Sequence, residues 1–176
     1  MEYLQESFRN GRSDAIFHLG NAFSMQNKVA AAKTCYEISF NQFGNVSVLI
    51  NMVRMYIKNN MNDKAINYLK LGVALTDESC LIAMGDLYLS GDLGMDVDFE
   101  RASIFYQIAA DNFESAEVYA KLATTKYQLD LADQAIHYFK KSLKIENNPD
   151  VLLSFGAVYV GLKNWKEAVE CFHQAL

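Results

Sequence analysis

The sequence predicts an all-α solenoid of about five helix-turn-helix repeats, and three observations carry that prediction. First, the chain matches itself at a step close to 33 residues. Leu19-Gly20, Met52-Val53, Met84-Gly85, Leu122-Ala123 and Phe155-Gly156 recur in corresponding places, with second members 33, 32, 38 and 33 residues apart. Second, each step also contains a small, large, small triplet at spacings of four and three: Ala32, Tyr36, Ser39; Ala65, Leu69, Gly72; Ala102, Tyr106, Ala109; Ala135, Phe139, Ser142; and Ala168, Phe172, Ala175. Those spacings place each triplet on one helical face. Third, proline occurs once, at Pro149, which argues against an all-β, proline-turned domain and against a proline-rich linker. A period of this length is the signature of stacked repeats, in which no pair can bury its apolar face alone.

Each element follows from this register. First helices are expected near 13–25, 46–58, 78–89, 114–127 and 149–161, and second helices near 28–42, 62–75, 98–111, 131–145 and 165–176. The units then run about 13–45, 46–77, 78–113, 114–148 and 149–176, forming a single solenoid over 1–176. Residues 1–12 supply a short lead-in helix, with Leu4 and Phe8 on one face. Asn148 before Pro149 reads as an N-cap with proline in the first turn. Asn164 with Glu167 reads as a capping box, and Asp130, Asp98 and Asn62 read as caps of other second helices. Glycine inside a helix costs about 1 kcal/mol relative to alanine. Gly20, Gly85 and Gly156 therefore imply a neighbouring helix that approaches closely at each.

Composition narrows the function. Hydrophobic residues make up 51% and charged residues 21% of 176, the balance of a folded soluble protein. A chain this long buries about 70% of its unfolded surface and needs no metal or disulfide staple. Sixteen basic against 21 acidic residues give a net charge of −5, which disfavours nucleic acid and an anionic membrane surface as partners. Cys35, Cys80 and Cys171 are an odd, widely spaced set, read as three reduced thiols in a cytoplasmic protein. The start lacks a basic region followed by an apolar run, so no signal peptide is read there; one removed before residue 1 would leave no trace. No stretch approaches 18 uninterrupted apolar residues, so no membrane insertion is expected.

At the repeat positions the chain resembles a known family. The last unit, with Leu152, Phe155-Gly156, Tyr159, Trp165, Ala168, Phe172 and Ala175, resembles a tetratricopeptide repeat at nearly every signature position. The first does so through Leu19-Gly20, Phe23, Ala32 and Tyr36. The third unit, with Gly85-Asp86-Leu87-Tyr88, Gly91, Gly94-Met95, Asp98, Ala102, Phe105-Tyr106 and Ala109-Ala110, is similar to a Sel1-like repeat. It has one residue too many between Gly91 and Gly94, and Asn112 where that repeat has glycine. The second unit carries Met52-Val53 in place of Leu-Gly, and the fourth has Lys126 in place of the aromatic. The resemblance implies a right-handed α-solenoid whose first helices line a concave groove. It also implies a non-enzymatic scaffold that binds a peptide or protein partner. The runner-up is a regulatory or docking module of a larger enzyme or sensor.

The groove implied by the resemblance takes its residues from corresponding places in the first helices: Phe17 and Asn21; Ile50, Arg54 and Lys58; Ile82 and Asp86; Thr124 and Gln128. Asp14, Ser24, Met25, Ser47, Ile57, Ser79, Leu89, Ser90, Glu117, Ala120, Tyr127, Asp150, Leu153, Ala157, Val160 and Gly161 hold further such places. Asn21 and Gln128 offer donors and acceptors to a peptide backbone. Arg54 and Lys58 suit a carboxylate, unless Arg54 pairs with Asp86. The basic clamp of chaperone-binding relatives is not expected, because Phe17 stands where lysine is needed and Ile82 and Asp86 where basic residues are needed. Val169, Phe172 and Leu176 would sit at an open end, so the chain is expected either to associate with itself there or to be a fragment of a longer protein.

No catalytic residues, metal ligands or cofactors are assigned. His18, His137 and His173 lie in different repeats, and Cys171 and His173, two apart on a helix, point to different sides. Asp92, Asp96 and Asp98 lack calcium-loop spacing. Gly91-Asp92-Leu93-Gly94 reads as a connector between helices. Most aromatics fall at repeat positions and read as core. Lys140, Lys141 and Lys144 complement a helix dipole.

Overall fold

Ten α-helices follow one another in the computed structural model, which describes the backbone of residues 2–176 and the side chains of residues 11–176. They form five consecutive pairs. These are α1 (Glu2–Met25) with α2 (Val29–Phe43), α3 (Val48–Lys58) with α4 (Asn62–Ala74), α5 (Glu78–Ser90) with α6 (Phe99–Asn112), α7 (Ala116–Gln128) with α8 (Ala132–Ile145), and α9 (Pro149–Gly161) with α10 (Trp165–Gln174). The expected all-α class holds, and no strand occurs among the described residues. The expected lead-in is not a separate helix, because α1 runs unbroken from Glu2. The predicted shared face of Leu4 and Phe8 lies outside the described side chains. The chain divides into two compact units, Met1–Cys80 and Leu81–Leu176, with the division inside α5.

The packing rule read from the triplets is physically visible. A Cβ added at Gly20 would sit 2.8 Å from the Tyr36 ring, one at Gly85 2.6 Å from Tyr106, and one at Gly156 2.5 Å from Phe172. In each case the glycine lets the aromatic of the second helix lie directly on the first helix's backbone. Ala32, Ala65, Ala102 and Ala135 are fully buried, as are Tyr106 and Leu69. The second helices are linked to one another in the same way in both units. Tyr68 donates to Glu37 Oε1 (3.4 Å) in the first, and Tyr138 to Gln107 Oε1 (3.0 Å) in the second. Tyr68 stacks on Tyr56 and Tyr138 on Tyr119, with centroids 5.5 and 6.1 Å apart.

The turns inside the repeats share one geometry. Asn27, Asn60, Asp130 and Lys163 all have φ between 55° and 60°. The next N–H bonds five residues back, Lys28 to Phe23, Met61 to Tyr56, Leu131 to Lys126 and Asn164 to Tyr159, at 2.9–3.0 Å. This is the Schellman closure. It corrects two predicted caps: Asp130 is the left-handed turn residue and Leu131 the cap, while Asn62 is the first residue of its helix and Met61 the cap. Asn164 makes no side-chain capping bond, so the capping box is not formed. Asn148 and Asp98 do cap, accepting from Asp150 N (2.9 Å) and Arg101 N (2.8 Å).

The third unit explains its own longer step. There Asp98 N bonds to Tyr88 O at 2.8 Å, ten residues apart in sequence where the other four turns use five. Five residues are looped out through Gly91, a short 3₁₀ turn (Asp92–Gly94) and Val97, and the chain re-enters at the same aromatic position. This accounts for a step of 38 against 33.

Lys163 is a long side chain in a left-handed position (φ 59°), where glycine carries no Cβ penalty. Lys163→Gly is expected to stabilise by about 0.5–1 kcal/mol, roughly 1–3 °C in Tm for a chain of this size. Thermal melts of the two proteins check this, and a fall in Tm would contradict the turn assignment.

Candidate functional site

Among the described residues, each unit has a cavity lined mainly by its first helices. In the first unit, α1 and α3 present Phe17, Asn21, Ser24 and Met25 opposite Asn51, Arg54, Met55 and Lys58, over Tyr36, around a cavity of about 330 Å³. Four of the nine expected groove residues, Phe17, Asn21, Arg54 and Lys58, therefore come together. Ile50 does not join them: it is only 8% exposed and belongs to the core.

The electrostatics of this cavity are one-sided. Arg54 and Lys58 are exposed, and neither makes an ion pair among the described residues. No acidic side chain among the described residues lines the cavity. Asn21 is less free than its sequence suggests, because its Oδ1 accepts the Tyr36 hydroxyl at 2.7 Å. Its amide N–H groups remain for a ligand. Burial pushes the Tyr36 phenol above its ordinary range, so it stays a donor to Asn21.

The second unit repeats the Asn21 arrangement with a charge. Asp86, also one residue after the helix glycine, accepts the Tyr106 hydroxyl at 2.5 Å and Lys121 Nζ at 2.8 Å. Burial first, and then this hydrogen bond, drive the Tyr106 phenol far upward. Asp86 is thus committed to Lys121, a partner that the groove positions did not include. Ile82 packs on the Ala102, Tyr106 and Leu122 core. Thr124 is exposed and spends its proton on Ala120 O (3.0 Å), and Gln128 is exposed at the end of α7.

The second cavity, about 500 Å³, lies where α7 faces α9, with Leu89 and the α8–α9 connection at its edge. Thr124, Glu117, Ala120, Leu89 and Asp150 line it as the register implies. Lys121, Glu146, Val151 and Ser154 line it too and were missed. Val151 and Ser154 follow Asp150 and Leu153 by one position, so a slightly wider helical arc would have included them.

The three thiols carry no site. Cys35, Cys80 and Cys171 are free and buried, and burial raises the pKa of each. A raised folded pKa means that the native state holds its proton more tightly than the unfolded chain. The linked stability is therefore complete below the unfolded values of 9.0 for cysteine and 10.0 for tyrosine, and is lost as pH climbs above them. The Tm is expected to stay level from pH 7 to 9 and to fall steadily toward pH 11, in step with exposure of the thiols to alkylation. A Tm that held to pH 11 would contradict the burial of these groups.

Among the described residues, no three His, Cys, Asp or Glu side chains converge on a metal position. No described helix is long and apolar enough to cross a membrane.

Comparison with known proteins bears on the fold. A family model described as tetratricopeptide repeat matches residues 116–149. Several solved structures superpose on nearly the whole chain. The crystal structure of MamA is 24% identical, with a TM-score of 0.67 over 89% of this chain and 92% of that one. A structure of Pseudomonas aeruginosa pilF is 19% identical, with a TM-score of 0.70 over 96% and 78%. YrrB, described as a tetratricopeptide-repeat protein with an unusual peptide-binding site, is 14% identical, with a TM-score of 0.64 over 91% and 82%. No curated protein sequence matches.

Proposed function

We propose that the chain, whose residues 116–149 match a tetratricopeptide-repeat model, is a non-catalytic interaction scaffold whose first unit binds a partner segment carrying a carboxylate beside an apolar side chain. The observation behind this reading is the meeting of Phe17, Asn21, Arg54 and Lys58 around one cavity that contains, among the described residues, two cations without an ion pair and no acid. Phe17, Met25 and Met55 offer the apolar contact, the Asn21 and Asn51 amides suit a peptide backbone, and Arg54 offers a two-pronged hydrogen bond to a carboxylate. Helices fixed by buried aromatics lose little freedom when a partner docks. The peptide site named for YrrB is consistent with the same use of this fold. The third unit, with its looped-out connector, fits a Sel1-like variant of the repeat.

The test is selection of a random 12-residue peptide library on the full chain, followed by affinity measurement on Arg54→Glu/Lys58→Glu. Recovered peptides are expected to pair Asp, Glu or a free C-terminus with an apolar residue. Their affinity should fall at least tenfold in the variant, about 1.4 kcal/mol or more. Acidic peptides that bind the variant equally well would overturn the assignment.

A second reading concerns α10, where Val169 is 53% and Trp165 61% exposed, with Phe172 beside them. These side chains suit association of two copies. A concentration-independent monomer mass in light scattering, unchanged by Val169→Glu, would remove it.

A further inference from the structure

The cavity of the second unit has the opposite character to that of the first. Its apolar lining is Leu89, Ala116, Ala120, Phe139 and Val151. Its charged lining is Glu117, Glu146, Asp150 and Lys121. Lys121, the one base, is already held by Asp86 at 2.8 Å and lies 4.0 Å from Glu117. Glu146 and Asp150 are exposed, and their carboxylates have no ion-pair or hydrogen-bond partner among the described residues. The cavity therefore combines a greasy lining with two uncompensated negative charges.

That combination selects among ligands. An anionic segment is repelled, since Lys121, the one cation among the described lining residues, is spent on Asp86. A hard metal ion wants six to eight converging oxygen ligands, and no three His, Cys, Asp or Glu side chains among the described residues converge on one point. A lysine or arginine side chain satisfies both parts at once, with its alkyl stem on the apolar lining and its charged head at the carboxylates. We propose that the second unit docks a partner peptide by inserting a lysine or arginine side chain into this cavity, the stem over Ala120 and Val151 and the cation at Glu146 and Asp150. This rests on the scaffold reading above but concerns a different cavity and the opposite charge.

The same peptide selection tests it, with two further variants. Glu146→Lys/Asp150→Lys reverses the charge, and Ala120→Trp fills the cavity while leaving the charges in place. Circular dichroism melts confirm that both fold. Peptides with a basic residue next to an aliphatic one are expected to be recovered. Their affinity should fall at least tenfold in each of these variants, weaken as salt rises, drop on replacing the basic residue by glutamine, and stay unchanged in Arg54→Glu/Lys58→Glu. The proposal is overturned if no basic residue recurs among selected peptides, or if basic peptides bind either cavity variant as well as the wild type. Acidic peptides alone, lost in Arg54→Glu/Lys58→Glu, would overturn this proposal and leave the first-unit reading standing. Basic peptides alone would do the reverse. Recovery of neither kind would overturn both.

Discussion

Gly85→Val is expected to destabilise the second unit by about 3 kcal/mol or more, a larger effect than its helix propensity alone would suggest. Valine is a better helix former than glycine, so propensity predicts a small gain. Packing predicts the opposite. Even a Cβ at residue 85 would lie 2.6 Å from the Tyr106 ring, closer than real side chains approach, and valine adds two more methyl groups. Tyr106 cannot step aside, since it is fully buried and its hydroxyl is bonded to Asp86 at 2.5 Å. Overpacking a tight core costs about 1–3 kcal/mol, and tearing the Tyr106–Asp86 hydrogen bond from a charged acceptor adds roughly 1.5–3. Gly11→Ala is the internal control. Among the described residues nothing lies within 4 Å of a Cβ there, so the substitution should stabilise by about 0.5–1 kcal/mol. Urea titrations of both variants check the pair. A neutral Gly85→Val would contradict the role given to the helix glycines.

Phe139→Ala carries the second large effect, about 3–5 kcal/mol. Phe139 is 1% exposed and stacks on Phe155 with centroids 5.0 Å apart, in a cluster with Ala123, Tyr159 and Ala168. It is the large member of its triplet and takes the place that Tyr106 holds in the third unit. It also lines the second cavity, so truncation removes part of that cavity's wall as well as core packing. Phe139→Leu keeps most of the volume and should cost about 1–1.5 kcal/mol. A Phe139→Ala loss below 1 kcal/mol in chemical denaturation would contradict the cluster's part in holding α8 against α9.

How much of this was legible in the residues depends on the scale of the feature. The pairs were legible because glycine or alanine opposite an aromatic recurs at a fixed period, and that period is what stacking demands. Helix ends were less so. Asp130 and Asn62 carry cap-forming side chains, yet backbone closure on Lys126 and Tyr56 moves the caps to Leu131 and Met61. A side-chain preference of about 1 kcal/mol yields to two backbone hydrogen bonds. The looped-out connector was visible as a step of 38, but not that it closes on Tyr88.

The candidate sites were half legible. Corresponding positions in adjacent first helices brought Phe17, Asn21, Arg54 and Lys58 together. The same rule misplaced Ile50, which turns into the core. It also could not show that Asp86 and the Asn21 carbonyl are occupied by tyrosine hydroxyls. Those bonds depend on the ring's reach from the second helix, which no spacing along the first helix encodes. Arg54 was weighed as a partner for Asp86, whereas Lys121 holds that carboxylate, from the next first helix along.

The central claim is that the first-helix face of the first unit receives the partner. Amide-resolved NMR titration with an acidic peptide recovered by selection tests it most directly. The account predicts the largest shifts at Asn21, Asn51, Arg54 and Lys58, with Lys33, Tyr68 and their neighbours on α2 and α4 nearly unmoved. Shifts concentrated on α2 and α4, with Arg54 and Lys58 silent, would contradict it.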